Sequence, residues 1–168
     1  MYEISGKMIK PKVLTVFLVS WLLAACAQIP NTPATYSGSV AHLNDSIRKV
    51  SMIKWHFYEL SMVDDRPIYA SSACTYDGGA NSQLGSDVCR GRHPVPAGKR
   101  IIHIRAVNYL SVPFFSLFNN IYKVEGDVLV TLEAGAEYFV QGELTQGDAS
   151  VWVEDATGEL VSQKIEMR

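Results

Sequence analysis

Residues Lys99–Asn108, with the sequence KRIIHIRAVN, carry the clearest structural pattern in the chain. Ile102, Ile104 and Ala106 alternate there with polar or charged side chains. Because successive side chains of a β-strand point to opposite faces, this alternation predicts a strand with one buried face. The preceding Pro96-Ala97-Gly98 is typical of a turn.

A second strand is predicted at Val50–Ser61 (VSMIKWHFYELS), which is dense in β-branched and aromatic residues. We expect Ile53, Trp55 and Phe57 to point to the core. The remaining expected elements, in chain order, are a turn at 64–67, a short strand over Ile68–Ala73, a strand over Asp127–Glu133 in which Val128, Val130 and Leu132 alternate, a turn at 134–136, a returning strand over Tyr138–Leu144, and a closing hairpin of Ser150–Glu154 and Leu160–Met167.

The spacing of these elements indicates the fold class. About seven short strands, without a long stretch of helical periodicity, predict a mainly β fold. Its expected form is an antiparallel β-sandwich of immunoglobulin-like or transthyretin-like type. A length of 168 residues suits a single domain.

The N-terminal region has the layout of a secretory signal peptide. Val13–Ala25 is an almost unbroken apolar run, and Lys7, Lys10 and Lys12 precede it. A helix of this length would span only about 20 Å, whereas the hydrocarbon core of a bilayer is roughly 30 Å thick. A permanent transmembrane helix is therefore disfavoured.

The end of this leader, Leu23-Ala24-Ala25-Cys26, resembles the lipobox of bacterial lipoproteins. The resemblance implies cleavage before Cys26 and acyl chains on its N-terminus, and several acyl chains anchor a protein stably. Ala27 stands where Asp often marks inner-membrane retention, so the outer membrane is the expected location. The predicted organisation is a signal peptide (1–25), a lipidated tether (26–45) and a β-sandwich domain (46–168).

The other two cysteines are expected to pair. With Cys26 lipidated, Cys74 and Cys89 remain in a chain exported to an oxidising compartment, which predicts a disulfide. On the chain-entropy model, closing this loop stabilises the fold by roughly 3 kcal/mol. A zinc site of the two cysteines with His93 and His103 is disfavoured because no Cys-x-x-Cys or His-x3–5-His spacing supports it.

Charge is divided along the sequence. Between Val88 and Val124 the charged residues are all basic, namely Arg90, Arg92, Lys99, Arg100, Arg105 and Lys123, whereas residues 125–168 are strongly acidic. One interpretation is that basic and acidic strands pair across the sheet. The other is a basic face that meets anionic lipid headgroups, lipopolysaccharide or an acidic partner. A net charge of −2, together with export, argues against nucleic acid as a partner.

The segment Tyr109–Tyr122 (YLSVPFFSLFNNIY) is unusually aromatic for a loop. Loops normally lie on the surface, so its large apolar side chains need a cover. Either the segment folds back to cap the core, or it is a patch for a partner or a membrane. The candidate contact site that follows from the second interpretation consists of Arg105, Phe114, Phe115, Phe118 and Lys123.

No motif for catalysis, metal binding or a cofactor was found in the sequence. It contains no Gly-x-Ser-x-Gly elbow, zinc helix, phosphate-binding glycine loop or calcium loop. We therefore expect a non-enzymatic, membrane-anchored envelope lipoprotein that acts as an interaction or structural module. The first alternative is an accessory lipoprotein of a secretion or assembly machine, by analogy of architecture with a transthyretin-like lipoprotein of type VI secretion. The second is an inhibitor of a lysozyme-type hydrolase, and the third is an enzyme whose site is assembled from residues distant in sequence.

Overall fold

The computed structural model describes residues 36–78, 88–110, 123–145 and 147–167. Over these ranges the chain is mainly β, as the sequence predicts. In chain order the elements are β1 (Val40–Lys49), β2 (Lys54–Val63), β3 (Arg66–Pro67), α1 (Ser71–Gly78), β4 (Arg92–Pro96), β5 (Gly98–Leu110), β6 (Lys123–Leu132), β7 (Glu137–Leu144), β8 (Ala149–Asp155) and β9 (Ile165–Glu166). No helix within the described ranges has the length and apolar character needed to span a membrane.

All nine strands belong to one sheet. Its order is β6-β5-β2-β1-β7-β8-β9, with β3 added to β2 and β4 added to β1. The pairs are antiparallel except for β1 and β7, which run parallel. The two end strands of this order, β6 and β9, lie close to each other. The side chain of Ile165 in β9 packs on Gly126 in β6. The sheet is therefore mixed and nearly closed into a barrel, and the expected sandwich of immunoglobulin-like or transthyretin-like type is not confirmed.

Strand β1 joins the two halves of this sheet. Its first half lies between β4 and β7, where Leu43 is opposite both His93 and Tyr138. Its second half pairs with β2 instead. At the change of partner the amide of Leu60 donates to Oδ1 of Asp45 at 2.9 Å, so a side chain supplies the acceptor that the ladder lacks. Asp45 thus occupies the corner of the sheet.

The position of β1 also corrects the predicted domain boundary. Residues 40–45, assigned from the sequence to the tether, form the first half of a central strand. Ala41 and Leu43 are fully buried and alternate with the polar side chains of His42 and Asn44, but the alternation covers only these two buried apolar residues. Their pattern was therefore too short to distinguish a strand from a linker by composition.

The apolar interior follows the alternation seen in the sequence. Ile102, Ile104 and Ala106 of β5 are fully buried. The alternating apolar residues of β6 are at most 6 % exposed, namely Val124, Val128, Val130 and Leu132. The residues from other strands that complete this interior are Ala41, Leu43, Tyr58, Leu60, Val63, Val95, Tyr138, Val140, Leu144, Ala149, Val151 and Val153. Burial of this apolar surface is the main stabilising contribution to the fold.

Strand β2 faces the interior with the opposite side from that predicted. Tyr58 and Leu60 belong to the apolar interior, whereas Phe57 is buried on the outer face, edge-on to Tyr109 at 5.7 Å between ring centroids. Ile53 and Trp55 are half-buried. Burial is continuous from His56 to Leu60, because β2 is central in the sheet and its outer face is also covered. Alternation cannot identify the core face of a strand that is buried on both sides.

The predicted strand over Ile68–Ala73 is wrong. A two-residue strand, β3, follows the turn at Asp64 and Asp65, both of which have positive φ. The chain then enters helix α1 at Ser71. The two serines there favour a helix start because both hydroxyls and the amide of Ser72 donate to buried carboxylates, contacts that the sequence pattern did not reveal.

The C-terminal elements are close to those predicted, with different pairing. The turn after β6 is present, with Gly135 at φ +76°. However, β7 does not return along β6, since it pairs with β1 and β8. The closing hairpin is confirmed in outline, since its second arm bonds to β8 through the amides of Val161 and Met167, through a bridge at Leu160 and through β9.

Candidate functional site

Helix α1 begins over two buried carboxylates. Asp45 at the corner of β1 and Glu59 on the outer face of β2 have no exposed side-chain surface. A helix start leaves several amides without internal partners and carries a partial positive charge, so carboxylates are favourable neighbours. We call the residues that meet here the polar cluster, namely Asp45, Glu59, Ser71, Ser72, His93 and Arg105.

Asp45 binds three groups from three other elements. Besides the amide of Leu60, its carboxylate accepts the Ser71 hydroxyl at 2.6 Å and contacts Nε2 of His93 at 3.0 Å. The Ser71 oxygen in turn accepts the Gly91 amide at 2.6 Å. These contacts attach the helix, and the chain leading into β4, to the corner of the sheet.

The three residue types of a hydrolase triad are therefore present, but not in a catalytic arrangement. The single hydroxyl proton of Ser71 is donated to the carboxylate of Asp45. A nucleophile is activated by giving its proton to a base such as histidine, which is then oriented by the carboxylate. Ser71 is also only 1 % exposed. The arrangement orients the helix and does not activate the hydroxyl.

Glu59 forms the second half of the polar cluster. It accepts the backbone amide of Ser72 at 2.7 Å and its hydroxyl at 2.6 Å, and Nε of Arg105 donates to it at 2.7 Å. The guanidinium also contacts the Ser72 hydroxyl at 3.3 Å. A buried carboxylate is costly without a counter-charge and hydrogen bonds, and here it has both. Arg105 is therefore held in one orientation.

The predicted disulfide is confirmed, since Cys74 in α1 is bonded to Cys89. Thr75 reinforces the link, because its hydroxyl donates to the Ser71 carbonyl and accepts the Cys89 amide. The disfavoured zinc set does not converge, as His93 contacts Asp45 and His103 contacts Asp127 at 2.7 Å. Within the described residues there is no group of three or more side chains that could hold a metal ion.

A cavity of about 410 Å³ lies next to this cluster. Helix α1 contributes Ser72 and Ala73 to its lining, β5 contributes Arg105, Val107, Asn108 and Tyr109, and β6 contributes Lys123. The register of β5 and β6 places Val107 opposite Lys123, and Arg105 lies two residues from Val107 on the same face of β5. Arg105 and Lys123 therefore both lie beside the apolar side chain of Val107. The two basic residues of the predicted contact site are thus brought together. Cys26, Phe114, Phe115 and Phe118 lie outside the described residues.

Both cations of the cavity have acidic neighbours. Lys123 contacts Glu125 at 2.7 Å, and this hydrogen bond lowers the pKa of the Glu125 carboxyl. Arg105 is paired with Glu59, but a guanidinium has five N–H donors, and only some of them are used by these partners. The cavity therefore offers fixed donors beside apolar surface, without a large excess of positive charge.

Ion pairs elsewhere support the first interpretation of the divided charge. Arg92 of β4 contacts Glu137 of β7, and this hydrogen bond lowers the pKa of Glu137. Arg100 of β5 contacts Asp64, at 3.2 Å. Basic residues of the middle segment are thus paired with acidic residues from other elements, which reduces the charge contrast that the linear sequence shows.

The sequence did not reveal the polar cluster as a unit. Its members come from β1, β2, α1, β4 and β5, and no spacing relates them. The only clue was Glu59, the one acidic residue of a strand that is dense in apolar and aromatic residues. A buried charge of that kind is rare unless it is paired. No family model, curated protein or solved structure matches the chain.

Proposed function

We propose that the chain is an outer-membrane lipoprotein, anchored through acylated Cys26, whose domain is a non-enzymatic interaction module of the envelope. The leader and the lipobox-like Leu23–Cys26 motif support the anchor. The Cys74–Cys89 disulfide supports export, because structural disulfides persist in oxidising compartments and are rare in the cytosol.

The cavity beside α1 is the proposed contact site. Binding sites typically combine apolar walls with a few polar groups held in fixed positions. Here Val107 and Tyr109 supply the apolar wall, and buried Glu59 fixes Arg105. The observation that carries the proposal is the meeting of Arg105 and Lys123 in one cavity on rigid elements. Sites built on strands and helices are held more precisely than sites on loops.

The phenylalanines of the contact site remain a prediction from the sequence. Phe114, Phe115 and Phe118 belong to the segment that joins β5 to β6, whose described ends, Leu110 and Lys123, lie at the same end of the domain as the cavity. We propose that these aromatic side chains add to the contact. The proposal does not depend on an immunoglobulin-like or transthyretin-like strand order.

Site-specific photo-crosslinking in cells tests the contact site. A photoreactive amino acid in place of Lys123 should give a discrete adduct with an envelope component. The same replacement at Thr131, an exposed residue further along the same face of β6, is the matched control and should give none. An equal adduct pattern from both positions, or no adduct from position 123, would reject the cavity as the contact site.

Fractionation tests the anchor separately. Wild-type protein should incorporate labelled palmitate and sediment with the outer membrane, whereas the Cys26→Ala variant should lose the label. Palmitate labelling that persists in Cys26→Ala would contradict the proposed anchor, whatever the crosslinking result.

A further inference from the structure

The turn that joins β1 to β2 presents apolar side chains at the tip of the domain. The amides of Val50 and Ser51 both donate to the carbonyl of Lys54, at 2.9 and 3.1 Å, which closes the turn tightly. Met52 is consequently 85 % exposed, the most exposed large apolar side chain among the described residues, and Val50 is 48 % exposed. Isolated exposed apolar residues are common on protein surfaces, so the charges around Val50 and Met52 determine whether the pair indicates an interaction site.

Those surroundings are cationic. Arg48 and Lys49 precede the tip and Lys54 follows it, and no acidic residue occurs between residues 46 and 58. Lys49 lies over the ring of Trp55, with 5.0 Å from its Nζ to the ring centroid. The chain as a whole is negatively charged, so this positive end is a local feature.

Buried His56 lies close enough to these cations for their charge to affect the pKa of its imidazole. Burial lowers the pKa of its imidazole, and the charges of Lys54 and Arg48 lower it further. The cationic character of this end comes from Arg48 and Lys49, which are exposed, and from Lys54, which is half-buried.

We propose that this tip, formed by Val50, Met52 and the flanking Arg48, Lys49 and Lys54, docks on the surface of an anionic bilayer. Met52 and Val50 enter the boundary between headgroups and acyl chains, where their apolar surface leaves water. The cations meet lipid phosphates, and each cation near an anionic surface strengthens the attraction. Trp55, half-buried beside the tip, has the amphipathic ring that favours this boundary.

The length of the chain outside the sheet is compatible with this contact. Strand β1 starts at Val40 and ends at the tip, so the point of attachment to the tether and the tip are about 33 Å apart. The segment from Cys26 to Val40 can extend to at most about 50 Å. The tip can therefore reach the same bilayer that holds the acyl chains. This step rests on the proposed anchor, whereas binding of the tip to lipid does not.

Vesicle binding by the unacylated protein tests the proposal. Residues 27–168 contain every described strand, the helix and the disulfide, so the chain without its leader and acyl chains is suitable. Its tryptophans are Trp55 and Trp152, and a Trp152→Phe background leaves Trp55 as the only reporter. On vesicles of equimolar phosphatidylglycerol and phosphatidylcholine, we expect a blue shift of Trp55 emission and quenching by brominated lipid, both weakened by salt.

The variants identify the surface. Val50→Ser/Met52→Ser should lower vesicle affinity about tenfold, because two apolar side chains no longer contribute. Lys49→Gln/Lys54→Gln should lower it by about tenfold as well, and only on anionic vesicles. The matched control is Ile101→Ser/Leu129→Ser, which removes an apolar pair, 52 % and 53 % exposed, from the outer face of β5 and β6 and should leave affinity unchanged.

Several results would overturn the proposal. These are equal binding to pure phosphatidylcholine, equal affinity of the tip variant and wild type, or no change in Trp55 emission with the fold intact by circular dichroism. Adducts from the tip to a protein, without vesicle binding, would assign the surface to a protein partner and reject the lipid one. Absence of palmitate on Cys26 in cells would contradict the proposed anchor but leave the vesicle result standing.

Discussion

Leu43 and Asp45 lie two residues apart on β1, and both are buried, yet they belong to different interiors. Leu43 packs in the apolar interior of the sheet, where any side chain of similar volume and shape has favourable contacts. Asp45 belongs to the polar cluster, where its carboxylate has three specific partners. The apolar interior forms the sheet, and the polar cluster fixes where helix α1 and the cavity sit on it.

This difference has consequences for substitution. An apolar interior tolerates exchange among apolar residues, because packing is non-directional and neighbours can adjust. A polar cluster does not, because each lost partner leaves another buried group unsatisfied. The proposed contact site lies beside the less tolerant of the two, the polar cluster.

The largest expected effect is that of Asp45→Ala. It leaves the Leu60 amide, the Ser71 hydroxyl and His93 without their common partner, and we expect a loss of about 3–5 kcal/mol in the free energy of unfolding. Urea denaturation followed by circular dichroism measures it. Asp127→Ala is the control, since Asp127 also contacts a histidine but its side chain is 67 % exposed. A loss as small as the control's, within about 1 kcal/mol, would show that the cluster does not stabilise the fold.

Removal of the disulfide comes next. Cys74→Ser/Cys89→Ser, which opens a loop of sequence separation 15, should lower the free energy of unfolding by about 3 kcal/mol. Comparison of oxidised and reduced wild-type protein provides an independent measurement of the same quantity. Equal stability of the two forms would mean that the polar cluster alone holds α1 in place.

A pair of near-isosteric changes sharpens the comparison between the two interiors. Leu43→Met keeps an apolar side chain of similar volume and should cost less than about 1.5 kcal/mol. Asp45→Asn keeps the shape but removes the charge opposite His93 and points an amide at existing donors, so it should cost about 2 kcal/mol or more. The urea midpoints of the two variants measure the two losses in stability. A larger loss for Leu43→Met than for Asp45→Asn would show that the apolar interior is the less tolerant of the two.

The smallest expected effect is a dependence of stability on pH. Burial and neighbouring cations lower the pKa of His56 in the folded protein below its ordinary value of 6.5. As pH falls below 6.5 the unfolded chain therefore binds more protons, and stability declines until the folded pKa is reached. In His56→Gln the slope of unfolding free energy against pH in this window should be shallower than in wild type. An identical slope would exclude His56 as its source.

How much of this could be predicted depends on whether a strand has one buried face. Val128, Val130 and Leu132 alternate with exposed residues, so their strand and its core face followed from the sequence. Phe57 and Tyr58 are both buried, and the choice of face for β2 was wrong. The partner of a strand is a property of three-dimensional arrangement, and for this reason the parallel pairing of β7 with β1 was also missed.

The candidate site shows the same division. The cysteine pair and the basic residues Arg105 and Lys123 could be selected because composition and charge are visible along the chain. Their buried counterpart Glu59 could not be assigned a role, because its partners come from α1 and β5. Residues that come together from elements distant in the sequence show no characteristic spacing, so no sequence motif identifies them.

The proposed function depends on export, since an oxidising compartment is the proposed origin of the disulfide and an acylated Cys26 is the proposed anchor. The most direct test is the intact mass of the protein isolated from membranes without reducing agent. We predict a chain that begins at Cys26, carries acyl chains, and lacks the two hydrogens of the Cys74 and Cys89 thiols. A chain that retains residues 1–25, carries no lipid and has both thiols free would contradict the account.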